Sequence, residues 1–189
     1  MRRVIYGITA LISNDSFDLF GLPRQYKIDL AALEQKWKVI SAQVHPDRFA
    51  SASSAEKRVA VEWSARVNEA YRVLKDPIKR AEYLCMLAGI DMVDRQQSAM
   101  NVEFLENQMA WREALEDARD NHQIEDLHLL QASVAQASKT YEITIGDLLD
   151  QQQWQNAAIR LREWMFVQKF AQEITYALRA SRDQDRHKS

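Results

Sequence analysis

Apolar residues recur every three or four positions along most of the chain, which is the period of an amphipathic helix. The members of the first clear stripe are Leu33, Trp37, Ile40 and Val44. Asp29 precedes this stripe, and aspartate is a favoured N-cap residue. Pro46 disfavours helical geometry at the residue before it, so the helix is predicted to end at Val44 or His45.

A second stripe follows a polar connection, "DRFASASSAE", which is predicted to be a loop and in which Ser53 or Ser54 can cap the next helix. The members of this stripe are Ala60, Ser64, Val67, Ala70, Tyr71 and Leu74. Two apolar faces joined by a short connection predict an antiparallel hairpin, with His45, Pro46 and Asp47 exposed at its tip. Asp76-Pro77 interrupts the second helix, and a third is predicted to stop at Gly89.

Three further helices are predicted near 101–120, 123–150 and 153–181, and the short turns between them favour an antiparallel bundle. Their core stripes are Phe104, Gln108, Trp111, Leu115 and Ala118; then Leu127, Leu130, Val134, Ala137, Tyr141 and Leu148; and finally Trp164, Val167, Ala171, Ile174 and Leu178. No segment shows the alternation of a strand. The predicted fold class is therefore all-α, a hairpin with flanking short helices followed by a three-helix bundle.

Composition and charge narrow the class of protein. A single cysteine, Cys85, cannot form an internal disulfide, so a reducing, cytoplasmic location is expected. The apolar run near the N-terminus is too short to cross a bilayer, and no membrane association is expected. Residues 1–89 carry 14 basic and 10 acidic side chains, whereas residues 90–189 carry 11 and 17. Opposite signs suggest two different partners, and neither half is basic enough to predict nucleic-acid binding.

The string HPD, at His45 to Asp47, lies between the first two predicted helices. The second of these helices leads into the string "NEAYRVLKDPIKRAEYLCMLAG". This combination resembles the J domain of DnaJ-type co-chaperones, and "DLFGLP" with the stretch from Asp76 to Gly89 resembles the HscB branch in particular. The resemblance covers roughly residues 16–178 and implies two domains in an L-shaped arrangement. The implied segments are an N-terminal extension at 1–15, a J domain at 16–89, a linker at 90–100, a scaffold-binding bundle at 101–181 and a polar tail at 182–189.

The resemblance implies that His45, Pro46 and Asp47 dock on the ATPase domain of an HscA-type seventy-kilodalton heat-shock chaperone and promote ATP hydrolysis. Lys36 and Lys38, expected on the side of the first helix away from its apolar face, and Arg48 would form a basic flank that speeds association. Gln43 and Val44 depart from the basic and aromatic residues that such domains usually carry before HPD.

The helix near 101–120 carries a second apolar group, Val102, Leu105 and Met109, accompanied by acidic residues. A contiguous apolar group with a charged rim marks an interaction surface. Phe166 likewise lies off the core stripe of the last helix, although ordinary packing on a neighbouring helix is an alternative. The resemblance implies that this region holds an IscU-type iron-sulfur scaffold protein. The implied contacts are apolar at Leu105, Met109 and Phe166 and acidic at Glu113 and Asp117, while Glu106 and Ala110 depart from the family pattern.

The predicted function is a non-enzymatic co-chaperone that brings the scaffold to the ATPase during iron-sulfur cluster assembly. One alternative is a J-domain co-chaperone of a general DnaK-type chaperone with a different client. Another is a small hydrolase that uses His45 and Asp47, but a convex tip offers no pocket and no oxyanion donors. His122 and His128 are six positions apart with nothing to complete a zinc site, so no metal and no cofactor are predicted.

Overall fold

The computed structural model describes residues 15–90, 101–121 and 123–188, with side chains described up to residue 182. The described ranges contain seven α-helices and one short 3-10 helix, and they contain no strand, which confirms the all-α prediction. The α-helices are α1 (Ser16–Leu19), α2 (Leu30–Val44), α3 (Ser54–Lys75), α4 (Pro77–Leu87), α5 (Val102–Asp120), α6 (Ile124–Asp150) and α7 (Trp154–Lys188). By its contacts the chain separates into two compact units, Met1–Leu84 and Cys85–Ser189. The predicted extension at 1–15, apart from Asp15, and the predicted linker at 90–100, apart from Ile90, lie outside the described residues.

Side-chain capping sets the residues at which α2 and α3 begin. The Asp29 carboxylate accepts hydrogen bonds from the N–H groups of Ala31 and Ala32, at 2.9 and 3.0 Å. Ser53, rather than Ser54, caps α3: its hydroxyl accepts from the Glu56 N–H, and the Glu56 carboxylate accepts from the Ser53 N–H. This reciprocal pair is a capping box, which satisfies two backbone donors that a helix start leaves without partners.

The ends of α4 follow from its sequence. Asp76 is extended because Pro77 follows it, and its carboxylate accepts from the N–H groups of Ile78 and Lys79. The helix ends at Leu87, two residues before the glycine at which it was predicted to stop. Gly89 adopts a φ of +79°, and the following N–H, of Ile90, donates to the Cys85 carbonyl at 3.0 Å. This arrangement is a Schellman motif, in which the glycine stands beyond the helix.

The first unit is built on the predicted antiparallel hairpin of α2 and α3. Its buried apolar residues are Phe17, Leu19, Phe20, Tyr26, Leu33, Val44, Ala60, Val67, Ala70, Leu74, Ala81 and Leu84. Trp37 and Tyr71 are half-buried and stack across the hairpin with ring centroids 4.6 Å apart. The Trp37 indole N–H also donates to the Asn68 side chain at 2.9 Å, so both helices are held in register.

The second unit is an up-down-up bundle in which α6 packs extensively on α7 and less on α5. Its buried apolar residues include Phe104, Leu115, Leu127, Val134, Leu161, Trp164, Val167, Phe170 and Ile174. The lower core of α6 differs from the prediction, because Ile145 and Leu149 are buried while Leu148 is half-buried. A straight helix drifts against a three-four repeat, so the buried stripe moves to neighbouring positions over its length.

The last helix is longer than predicted. α7 continues to Lys188, through the segment expected to be a polar tail. No glycine or proline interrupts residues 154–188, so nothing in the backbone ends the helix earlier. Within the part of the chain that the structure describes, no helix has both the length and the apolar character that crossing a membrane requires.

Candidate functional site

The HPD segment continues α2 as a short 3-10 helix, Pro46–Phe49, which packs against α3. The loop predicted from Asp47 onward is therefore helical at its first three residues, Asp47, Arg48 and Phe49. His45 is extended, with φ −61° and ψ 128°, because the proline ring crowds the residue before it. Pro46 is well suited to the first position of the turn, since the missing N–H has no helical partner there.

The backbone of this turn holds the His45 side chain, and both His45 and Asp47 are exposed to solvent. The Nδ1 atom of His45 accepts a hydrogen bond from the Asp47 N–H at 3.3 Å and lies 3.5 Å from the Asp47 carboxylate. These side chains remain 57% and 89% exposed, respectively. Because Nδ1 is the acceptor, the neutral imidazole carries its proton on Nε2, which is the nitrogen left for a partner.

Of the three predicted flanking cations, only Arg48 lies beside the HPD segment. Its guanidinium donates to the Ala42 carbonyl at 3.3 Å, over the last turn of α2. Lys36 and Lys38 lie about 12 and 9 Å further back along the helix axis from Val44.

Lys36 and Lys38 also face different ways, because two positions on a helix differ by about 200°. Lys38 is exposed and bonds Glu34 at 2.7 Å, and this hydrogen bond raises the pKa of Lys38. Lys36 is half-buried and donates to the Gly21 carbonyl at 2.9 Å. The expectation that both lysines point away from the apolar face is therefore wrong for Lys36.

Two cations near the tip were missed by the sequence reasoning. Lys57 and Arg58 are exposed in the first turns of α3, which lies at the same end of the hairpin as His45. An inspection of α2 alone cannot find them, whereas the predicted antiparallel hairpin brings the end of one helix to the beginning of the next.

The predicted scaffold contacts on α5 form one ridge of residues four apart. Leu105 and Met109 are 46% and 66% exposed, and Glu113 and Asp117 are exposed as well. Each step of four turns the ridge by about 40°, so it winds from an apolar half to an acidic half. The opposite side of α5 is the core side, as predicted, with Phe104 fully packed.

Phe166 of α7 combines packing with exposure. Its ring centroid lies 6.3 Å from that of Phe104, yet the side chain is 45% exposed. Arg112 on α5 reaches Glu173 on α7 at 3.7 Å, so α5 and α7 run side by side in the same direction. Phe166 therefore lies on the seam next to the helix turn that carries Leu105.

The described residues contain no group of three histidine, cysteine, aspartate or glutamate side chains that converge as a metal site would require. His128 is exposed, and His122 lies outside the described residues. Cys85 is fully buried, as expected for a small core residue.

Comparisons with known proteins agree with this arrangement. Residues 100–175 match the family model described as the HSCB C-terminal oligomerisation domain. The co-chaperone protein HscB homolog of Bordetella petrii is 48% identical over 168 residues, which cover 88% of this chain and 98% of the relative. The structure is similar to chaperone HscB from Vibrio cholerae, with a TM-score of 0.76, 33% identity, and coverage of 86% of this chain and 96% of that chain. It is also similar to human co-chaperone protein HscB, with a TM-score of 0.81, 25% identity, and coverage of 87% and 82%. The chain therefore belongs to the HscB co-chaperone family.

Proposed function

We propose that this co-chaperone stimulates the ATPase of an HscA-type heat-shock chaperone and delivers an IscU-type scaffold protein to it during iron-sulfur cluster assembly. The observation that carries the proposal is the HPD segment, in which an exposed imidazole, held by the Asp47 N–H, lies 3.5 Å from an exposed carboxylate. The single cysteine suits the cytoplasm as the place of action.

The HPD segment would act by competing for polar contacts inside the chaperone's ATPase domain. An ATPase with two conformations shifts toward the one that a partner binds better. Pro46 limits the freedom of the segment before binding, so less conformational entropy is lost when His45 and Asp47 dock. Arg48, Lys57 and Arg58 would supply the positive rim that raises the association rate.

The α5 ridge would bind the scaffold. Leu105 and Met109 are one helical turn apart and can enter the same depression on a partner, with Phe166 at its border. Apolar anchors usually dominate the binding energy of an interface, whereas carboxylates at its edge orient the partner. We assign the second role to Glu113 and Asp117.

The test is the rate of ATP hydrolysis by an HscA-type chaperone in the presence of the purified chain. The variant His45→Gln is expected to keep the circular dichroism spectrum and the melting curve, because surface substitutions change stability by about 0.5 kcal/mol or less. It should lose the stimulation. Gln35→Ala, an exposed change on α2, is the matched control and should stimulate like the wild type.

Full stimulation by His45→Gln would refute a docking role for the HPD segment. A DnaK-type chaperone run in parallel distinguishes the alternative function. Stimulation of that chaperone alone would favour a general J-domain co-chaperone with another client. The chain without a chaperone is expected to hydrolyse no ATP, since its sequence has no glycine-rich phosphate loop.

A further inference from the structure

A buried carboxylate links α7 to the start of α5. The Glu163 side chain is fully buried and pairs with the Arg160 guanidinium one turn earlier, at 2.8 Å. Its second oxygen accepts from the backbone N–H of Asn101 at 3.4 Å. A buried carboxylate needs such partners, because taking its charge out of water without them is strongly unfavourable. None of the predicted surfaces uses this residue.

Asn101 is the N-cap of α5, so the anchor acts on the turn that carries Leu105. The Asn101 side chain accepts from the Glu103 N–H at 3.1 Å. The Asn101 carbonyl accepts from the Leu105 N–H, also at 3.1 Å. A short path of hydrogen bonds therefore joins the Glu163 carboxylate to the first apolar residue of the ridge.

Tyr141 of α6 joins the same cluster. Burial, followed by the neighbouring Glu163 carboxylate, raises the pKa of Tyr141 to about 12. The Tyr141 ring meets the Phe104 ring edge to face, with centroids 6.5 Å apart, and Phe104 in turn contacts Phe166. Three helices thus converge on Glu163 beneath the proposed scaffold surface.

We propose that Glu163 is a positioning residue for scaffold binding: it anchors Asn101 and thereby fixes the first turn of α5, which presents Leu105 and Met109 next to Phe166. This inference rests on the proposed scaffold-binding function. Neither Glu163 nor Asn101 touches the scaffold in this arrangement. A partly open cleft of about 380 Å³ borders the cluster, and Asn101, Arg160 and Glu163 are among the residues that line it.

The experiment compares three substitutions of Glu163 in the full chain by amide hydrogen exchange and by calorimetric titration with the purified IscU-type scaffold. Glu163→Met removes both acceptor oxygens at similar volume, and exchange at the Leu105 amide should speed up while Kd rises about tenfold or more. Glu163→Gln keeps a carbonyl oxygen for the Asn101 N–H. This variant should therefore keep the Leu105 amide protected from exchange and keep the Kd within about threefold of the wild-type value.

Glu163→Asp covers the case in which Glu163→Met does not fold. It keeps the charge but withdraws the carboxylate by one methylene, so the Leu105 amide should again lose protection. Leu130→Ala is the matched core control, about 16 Å along α6 from Tyr141. It should lower the melting temperature yet leave the Leu105 amide and the Kd unchanged.

The proposal is overturned if Glu163→Met leaves the exchange rate of the Leu105 amide unchanged. If Glu163→Met fails to fold, the same result in Glu163→Asp overturns it. If Leu130→Ala reduces the protection of the Leu105 amide as much as the Glu163 variant does, the proposal is also overturned. That result would show a general loss of stability. The exchange measurement needs no scaffold, so it tests the anchor by itself. If the wild type fails to bind IscU, or if Leu105→Ala with Met109→Ala binds normally, the proposed function fails instead.

Discussion

At the scale of single residues, buried and exposed polar groups have separate tasks in the first unit. Arg80 is 6% exposed, donates to the Leu74 carbonyl at 2.7 Å, and lies over the Tyr26 ring at 4.7 Å. It therefore satisfies a carbonyl at the end of α3 that the helix itself leaves open. Asp15 is buried as the N-cap of α1 and also accepts from the Tyr83 hydroxyl. His45 and Asp47, by contrast, have little contact with the core and are available to a partner.

Replacing Arg80 should destabilise the first unit. In Arg80→Met the Leu74 carbonyl loses a charged donor, and we expect a loss of about 2 kcal/mol in the free energy of unfolding. Lys79→Met is the matched control, since Lys79 is exposed, and it should change stability by about 0.5 kcal/mol or less. Urea unfolding followed by circular dichroism measures both. Equal effects of the two changes would show that Arg80 has no such structural role.

The raised pKa of Tyr141 predicts an alkaline limit to stability. Because the folded value of about 12 lies above the ordinary value of 10.0, the folded state favours the neutral phenol. This contribution is complete below the unfolded pKa and is lost as the pH rises through the folded one.

Absorbance titration of tyrosinate checks this prediction. Tyr141→Phe should remove a component that titrates at about 12. Removal of an ordinary component by Tyr141→Phe would contradict the burial argument.

At the scale of helices, short polar motifs decide where each element begins and ends. Ser53 with Glu56, Asp76 before Pro77, and Gly89 after α4 are all visible in the sequence, and each sets a boundary in the structure. The sequence of each helix also determines which of its side chains are exposed to solvent. α5 has one core side and one ridge, so it can both pack in the bundle and bind a partner.

The capping box gives a direct test at the start of α3. Ser53→Ala removes the side-chain acceptor for the Glu56 N–H and should lower the free energy of unfolding by about 1 kcal/mol. Ser54→Ala changes the next residue, which makes no cap, and should have an effect near zero or slightly stabilising. Thermal and urea unfolding of the two variants decide between them. A larger loss for Ser54→Ala would place the cap one residue later.

At the scale of the whole molecule, the two proposed surfaces belong to different compact units. The HPD segment lies in Met1–Leu84, and the α5 ridge with Phe166 lies in Cys85–Ser189. The charges of the two halves have opposite signs, which suits partners of different surface chemistry. We therefore expect the two binding activities to be separable by mutation.

Separability predicts a double dissociation. Leu105→Ala with Met109→Ala should weaken scaffold binding by about 2 kcal/mol or more and leave scaffold-free ATPase stimulation intact. His45→Gln should do the reverse. Glu113→Gln should have a smaller effect on scaffold binding that shrinks as salt rises, since exposed charges are screened. Titration calorimetry and ATPase rates measured on the same preparations would show it, and loss of both activities in either variant would contradict it.

The sequence by itself determined the existence of helices α2 to α7, the Asp29 cap and the exposed HPD tip, because hydrophobic period, proline and capping residues act over a few neighbouring positions. It also separated the core side of α5 from Leu105 and Met109, which needs only the helical repeat. Only the tertiary structure decided that Lys36 bonds the Gly21 carbonyl, that Ile145 and Leu149 complete the core of α6, and that Glu163 reaches Asn101. These contacts join residues far apart in the chain, so their partners depend on how the helices pack, which no local pattern encodes.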